Sequence, residues 1–183
     1  MKKKLREEAL ARRNEISVKV REEKSRKIME YILNSENYKK AETVFSFVSM
    51  GSEVETEGIL EQAWKDGKAV AVPKTGKGRV MVFLKIDSFA DLQKGRFGVM
   101  EPVTEAELIP GEDDLFLVPG ALFDRKKNRI GYGGGYYDTY FEKHQGYRKI
   151  GLAFSEQILE TDIPTEETDI PLDDIVTENG WEE

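Results

Sequence analysis

The stretch DLFLVPGALFDRKKNRIGYGGGYYDTYF, residues 114–141, decides the fold. DLFLVPG (114–120) is a near-continuous apolar run, the pattern of a strand buried on both faces. Four glycines follow between Gly131 and Gly135, and the spacing then predicts a short helix near 135–143. Strand, glycine-rich loop and helix start form a recurrent way to hold phosphate. Glycine lets backbone N–H groups converge and admits close approach, and the helix N-terminus adds partial positive charge. The standard fingerprints are absent, however. GYGGGYYD lacks the third glycine of G-x-G-x-x-G and the Gly-Lys-Ser/Thr of the P-loop. A plain structural turn therefore stands beside the phosphate cradle as an open alternative.

Outward from this stretch, helices and strands alternate. A charged helix is expected over 2–13 and a second over 17–34, with Ser17 as its N-cap. TVFSFVS (43–49) reads as a strand, 55–65 as a helix stopped near Gly67, and AVAVP (69–73) as a short buried strand. KTGKGR (74–79) reads as a hairpin turn leading into strand 80–86. Residues 87–112 read as irregular. KIGLAF (149–154) and DIVTE (174–178) read as the closing strands. This order implies an α/β fold with a largely parallel, helix-flanked sheet, whose ligands bind outside the carboxyl ends of the strands.

Composition narrows the chemistry. The chain of 183 residues has no cysteine and one histidine, His144, so disulfides, thiolate metal sites and histidine clusters are excluded. A divalent metal would be held by oxygen, which favours Mg²⁺. The net charge of −7 argues against general nucleic-acid binding. No run is long enough to span a bilayer and no signal peptide is evident, so a cytoplasmic protein is expected.

Several side chains near the loop could carry chemistry, each with a plainer reading. Arg129 stands at the loop entrance, where a guanidinium can hold phosphate oxygens through two parallel bonds. Asp138 falls in the first turn of the following helix, either complementing its dipole or binding Mg²⁺. Lys2 and Arg6 are four apart on one helix face, a clamp or a solvated basic face. Glu53 lies at the mouth of strand 43–49, a site carboxylate or a loop acid. Tyr132 has no helical partner and is the tyrosine best placed to touch a ligand, whereas the pairs Tyr136/Tyr140 and Tyr137/Phe141 include core packing. From the residues alone, the reading is an α/β protein with a candidate phosphate site near Arg129 to Asp138.

The same blocks together resemble the 5-formyltetrahydrofolate cyclo-ligase (5,10-methenyltetrahydrofolate synthetase) family. KKKLR, SMGSEVETEGI, GRFGVMEP, DLFLVPGALFDRKKNRIGYGGGYYD, IGLAFSEQ and IPTEETDIPLDDIVTE occur in the family's order and cover essentially the whole chain. The resemblance implies a single Rossmann-like three-layer domain over 1–183, with a mixed, largely parallel sheet. It also implies a reaction. The formyl oxygen of 5-formyltetrahydrofolate attacks the γ-phosphoryl group of Mg-ATP, N10 closes on the activated carbon, and 5,10-methenyltetrahydrofolate, ADP and phosphate result. A non-catalytic folate or nucleotide carrier on the same fold is the alternative.

Carried over by position, the resemblance makes Lys2, Arg6, Arg129, Gly131, Tyr132, Gly133, Gly134, Gly135, Tyr136 and Tyr137 the ATP-binding set. Asp138 and Asp169 become the Mg²⁺ ligands. Val48, Met50, Glu53, Phe97, Tyr132 and Tyr136 face the folate, and Arg129, Tyr132 and Lys2 are the catalytic candidates. The expected partners are these two small molecules, with no nucleic acid and no membrane, and the chain is expected to act as a monomer. One departure stands out: some relatives carry Arg and Lys where this chain has Tyr132 and Gly134. Lys2, Arg6 and Arg129 are then expected to carry more of the charge.

Overall fold

The structure is a computed structural model and describes residues 1–95 and 98–183. Three helices open the chain: α1 (Lys2–Glu15), α2 (Val18–Asn34) and α3 (Glu36–Lys40). Ser17 caps α2 as its sequence position predicts, its side chain accepting from the Val20 amide. Next come β1 (Thr43–Phe45), α4 (Glu57–Lys65) and the hairpin of β2 (Ala69–Thr75) with β3 (Met81–Ile86). The stretch expected to be irregular contains a small hairpin, β4 (Leu92–Lys94) with β5 (Met100–Pro102). The long apolar run forms β6 (Leu115–Val118). It is followed by a second small hairpin, β7 (Leu122–Asp124) and β8 (Arg129–Ile130), and then by α5 (Tyr136–Lys143). The chain closes with β9 (Arg148–Leu152), β10 (Ile158–Leu159), β11 (Asp174–Thr177) and β12 (Gly180–Trp181).

Seven strands form the main sheet in the order β12-β11-β9-β6-β1-β2-β3. The five inner strands from β11 to β2 run parallel, and β12 and β3 pair antiparallel at the edges. Helices α2, α3 and α4 cover one face through Ile28, Ile32, Tyr38, Ile59, Leu60 and Ala63. Helix α5 covers the other through Tyr140 and Phe141. These covered faces explain the unbroken apolar runs, because both sides of an inner parallel strand are buried. The chain grows from β1 toward β2 in one direction and from β6 toward β9 and β11 in the other. The sheet therefore has its switch point between β1 and β6, where a crevice opens beyond the strand carboxyl ends.

Helix α1 packs elsewhere, on the three-stranded sheet β10-β7-β8. Of its residues only Ala9 and Arg13 are buried, so apolar contact holds it weakly and its polar contacts matter more. In the α5 layer, Phe116 is the hub: it stacks on Phe45 at 5.6 Å and meets Phe83 at 4.8 Å, Phe141 at 5.3 Å and Tyr147 at 5.3 Å between ring centroids. Phe116→Ala is expected to lower the unfolding free energy by about 3–5 kcal/mol, measured by urea denaturation. A loss below about 1 kcal/mol would contradict the central place given to this ring.

Candidate active site

A cavity of about 780 Å³ occupies the switch-point crevice. Phe47 and Val48 after β1, Pro119 after β6, and Pro73 and Thr75 on β2 form its floor and one side. The loop 131–135 and the start of α5 form the opposite side, and α1 closes one end with Lys2, Arg6 and Arg13. Of the residues singled out from the sequence, Lys2, Arg6, Val48, Met50, Glu53, Arg129, the whole run Gly131 to Asp138, and Asp169 line this one cavity. Phe97 lies outside the described residues.

The loop is shaped by backbone conformations that side chains resist. Gly133 has φ +101° and Gly135 φ +69°, in the left-handed region that glycine enters at little cost. Gly135 is the N-cap of α5 and offers no side-chain cap, so the first-turn N–H groups remain directed at the crevice. Arginines also approach the loop where a side chain would obstruct them. A Cβ on Gly131 would lie 2.8 Å from Arg129 Nη1, one on Gly133 3.4 Å from Arg6 Nη1, and one on Gly135 3.3 Å from Arg79 Cζ. The last of these was missed in the sequence, where KTGKGR reads only as a turn.

Each cation is fixed differently. Arg6 donates from Nε to the Gly131 carbonyl at 2.7 Å. Lys2 pairs with Asp169 and lies 3.3 Å from Glu166, joining the two ends of the chain. Burial works against the Lys2 ammonium, but its bonds to Asp169 and Glu166 outweigh that and hold its pKa above the ordinary lysine value. The Arg129 side chain is only 4% exposed and lies 3.4 Å from Asp138 Oδ2, with its guanidinium over the Tyr137 ring at 5.2 Å. Burial lowers its pKa, the Asp138 carboxylate opposes that shift, and Arg129 Nε is buried without a hydrogen-bond partner. Asp138 Oδ1 accepts at 3.2 Å from the amide of Ile170, the residue after Asp169 in the chain.

The Met50 side of the cavity carries a second network. Arg13 is buried and donates from Nη1 to the Tyr132 hydroxyl at 2.8 Å and from Nε to Ser52 at 2.9 Å. Tyr132 in turn donates to Glu53 Oε1 at 2.6 Å, and the Met50 amide donates to Glu53 Oε2 at 2.9 Å. Arg13 also escaped the sequence reading. Its signal was its spacing: Lys2, Arg6 and Arg13 are four and then seven apart, which keeps them on one helix face. Tyr136 reaches the β2–β3 turn, its hydroxyl 3.4 Å from the Gly76 carbonyl. Tyr137 is in the α5 layer, 5.9 Å from Phe141.

Fold and site thus define an open α/β protein whose switch-point crevice is lined by a glycine loop, several cations and the carboxylates of Asp138 and Asp169. The sequence profile of the 5-formyltetrahydrofolate cyclo-ligase family matches residues 1–178, and the chain belongs to that family. The mouse 5-formyltetrahydrofolate cyclo-ligase is 32% identical over 192 aligned residues, covering 98% of this chain and 94% of the mouse protein. The Escherichia coli K12 enzyme of that name is 33% identical, covering 78% of this chain and 81% of its own. The NMR structure of Aquifex aeolicus 5,10-methenyltetrahydrofolate synthetase superposes with a TM-score of 0.86 at 33% identity, over 98% of this chain and 91% of that one.

The Glu53 network has a consequence for pH. Burial raises the Glu53 pKa above its ordinary 4.5, against the opposing effects of the Tyr132 hydroxyl, the Met50 amide and Arg13. A carboxylate whose folded pKa is raised binds its proton more tightly in the fold, so ionising it costs stability. That cost is absent below 4.5, grows through the interval up to the raised value, and is constant above it. Glu53→Gln is therefore expected to raise the urea midpoint at pH 7.5, the gain shrinking as the pH falls toward 4.5 and absent below it. A variant less stable than the parent at pH 7.5 would mean that the ionised network is stabilising.

Proposed function

We propose that the chain is an Mg-ATP-dependent 5-formyltetrahydrofolate cyclo-ligase, with residues 1–183 acting as one catalytic unit. The observation that carries this reading is the meeting of Lys2, Arg6 and Arg129 around the glycine loop, in a chain that matches the family over 1–178. A nucleotide carrier needs the phosphate bed alone. A second half of the cavity, with Val48, Met50, Glu53 and Tyr132, leaves room for a folate facing that bed and favours a reaction between the two.

The balance of the reaction is simple. The formyl oxygen forms a bond to the γ-phosphorus of ATP as the bond to ADP breaks. N10 then bonds to the formyl carbon and loses its proton, the carbon–oxygen bond breaks, and phosphate leaves with the former formyl oxygen. A formyl amide carbon is a poor electrophile and its oxygen a poor leaving group, and phosphorylation corrects both. The protein's share is positioning and charge neutralisation.

In this reading the loop N–H groups, Lys2 and Arg6 hold the phosphates. Arg129, largely buried, holds Asp138 in place and adds positive potential from beneath the loop. Asp138 and Asp169 suit Mg²⁺ by their chemistry, because this ion takes one or two carboxylates together with phosphate oxygens. Among the described residues no group of three or more His, Cys, Asp or Glu side chains could hold a metal without such help. The ion, when bound, would neutralise phosphate charge. Glu53 and Tyr132, fixed by Arg13 and the Met50 amide, orient the folate against the loop. No described helix is long and apolar enough to cross a membrane.

Protein mixed with Mg-ATP and 5-formyltetrahydrofolate should develop the methenyl chromophore, lose it with EDTA and regain it with Mg²⁺. Asp138→Asn should lower kcat about 100-fold with the folate KM nearly unchanged. Chromophore formation without ATP, or equal loss in kcat and folate affinity, would contradict the roles assigned.

A further inference from the structure

The cations around the loop are not equally committed. Among the described residues, Lys2 is paired with Asp169 and Glu166, Arg129 with Asp138, and Arg13 is buried against Tyr132 and Ser52. Arg6 gives one N–H to the Gly131 carbonyl. Arg79 has no hydrogen-bond or ion-pair partner among them, although its guanidinium carbon lies 3.3 Å from where a Cβ on Gly135, at the start of α5, would stand. It also lines the cavity.

The backbone at this position is unusual. Arg79 has φ +61°, a left-handed conformation that costs a side chain energy and suits glycine. A strained residue whose charged end reaches into a cavity is the kind of outlier that points to function. Its hairpin is tied to the loop through the Tyr136 hydroxyl and the Gly76 carbonyl. The same hairpin supplies Pro73, Thr75 and Met81 to the cavity wall. Arg79 therefore stands where the wall meets the loop, while Arg6 reaches the loop from α1.

We propose that Arg79, carried by the β2–β3 hairpin, contacts the terminal phosphoryl group of the nucleotide as it passes to the folate. This rests on the cyclo-ligase reading and adds a residue to it. Arg6 and Arg79 then flank the loop at Gly133 and Gly135, and a guanidinium on each side neutralises the charge that spreads over the phosphoryl oxygens. The loop need not carry cations of its own, and Tyr132 and Gly134 cease to be a deficit.

The strained backbone supplies a clean variant. Arg79→Gly removes the guanidinium and relieves the left-handed strain, so folding is preserved. The experiment compares parent, Arg79→Gly and Arg79→Lys by thermal melting, by calorimetric titration with β,γ-imido-ATP and with ADP in Mg²⁺, and by chromophore turnover. Arg79→Gly is expected to melt at or above the parent temperature and to lose about 10-fold in affinity for the ATP analogue, with ADP affinity unchanged. Its kcat should fall about 100-fold, and Arg79→Lys should recover part of the loss. Parental kcat and analogue affinity in Arg79→Gly would overturn the proposal, as would equal losses for the analogue and ADP. If the parent itself forms no methenyl product, the cyclo-ligase reading fails. The analogue-against-ADP comparison then still decides whether Arg79 meets a terminal phosphate.

Discussion

The hydrogen bond from Arg6 to the Gly131 carbonyl is the contact on which the crevice depends. Helix α1 buries only Ala9 and Arg13, too little apolar surface to fix it firmly. It is held by a polar seam: Lys2 on Asp169, Arg6 on the loop, and Arg13 on Tyr132, Ser52 and the Gly120 carbonyl. The groups that anchor the helix are therefore the groups that line the cavity. Charge inside the crevice and docking of the helix are one physical problem, and a ligand that engages these cations necessarily engages the helix.

Arg6 of that seam, with Arg79 and Arg129 from outside it, approaches the glycines of the loop. Guanidinium groups lie against Gly131, Gly133 and Gly135 at distances where a Cβ would crowd them. Positive φ at Gly133 and Gly135 bends the chain into α5 while leaving the helix start uncapped. The loop thus presents N–H groups on one side and receives arginines on another. The buried Arg129 is tolerable because Asp138 lies beside it and the Tyr137 ring covers it. Its unpartnered Nε is one sign of a site arranged for more than stability.

Much of this was legible in the sequence. The apolar run 114–120 and the glycines after it announced a buried strand and a loop at its carboxyl end, and Ser17 announced the start of α2. What escaped was set by long-range contact. FDRKKNR, between the apolar run and the glycines, drew no assignment, and it folds into the β7–β8 hairpin, turned by Lys127 at φ +67°. The β4–β5 hairpin has strands of three residues, too short for alternation to register. Arg13 is one of several cations on a charged helix, set apart by its spacing from Lys2 and Arg6 and by its burial beside Tyr132. Arg79 sat in a turn whose place above Gly135 depends on β2 lying next to β1.

The cyclo-ligase account makes the formyl oxygen the acceptor of the phosphoryl group, and the two-sided cavity suits that direct transfer. The most direct test is isotopic. 5-Formyltetrahydrofolate labelled with ¹⁸O in the formyl group is turned over with Mg-ATP, and the released phosphate is examined by mass spectrometry. The account predicts that each phosphate carries the formyl oxygen. Label that appears in water, with unlabelled phosphate, would contradict it.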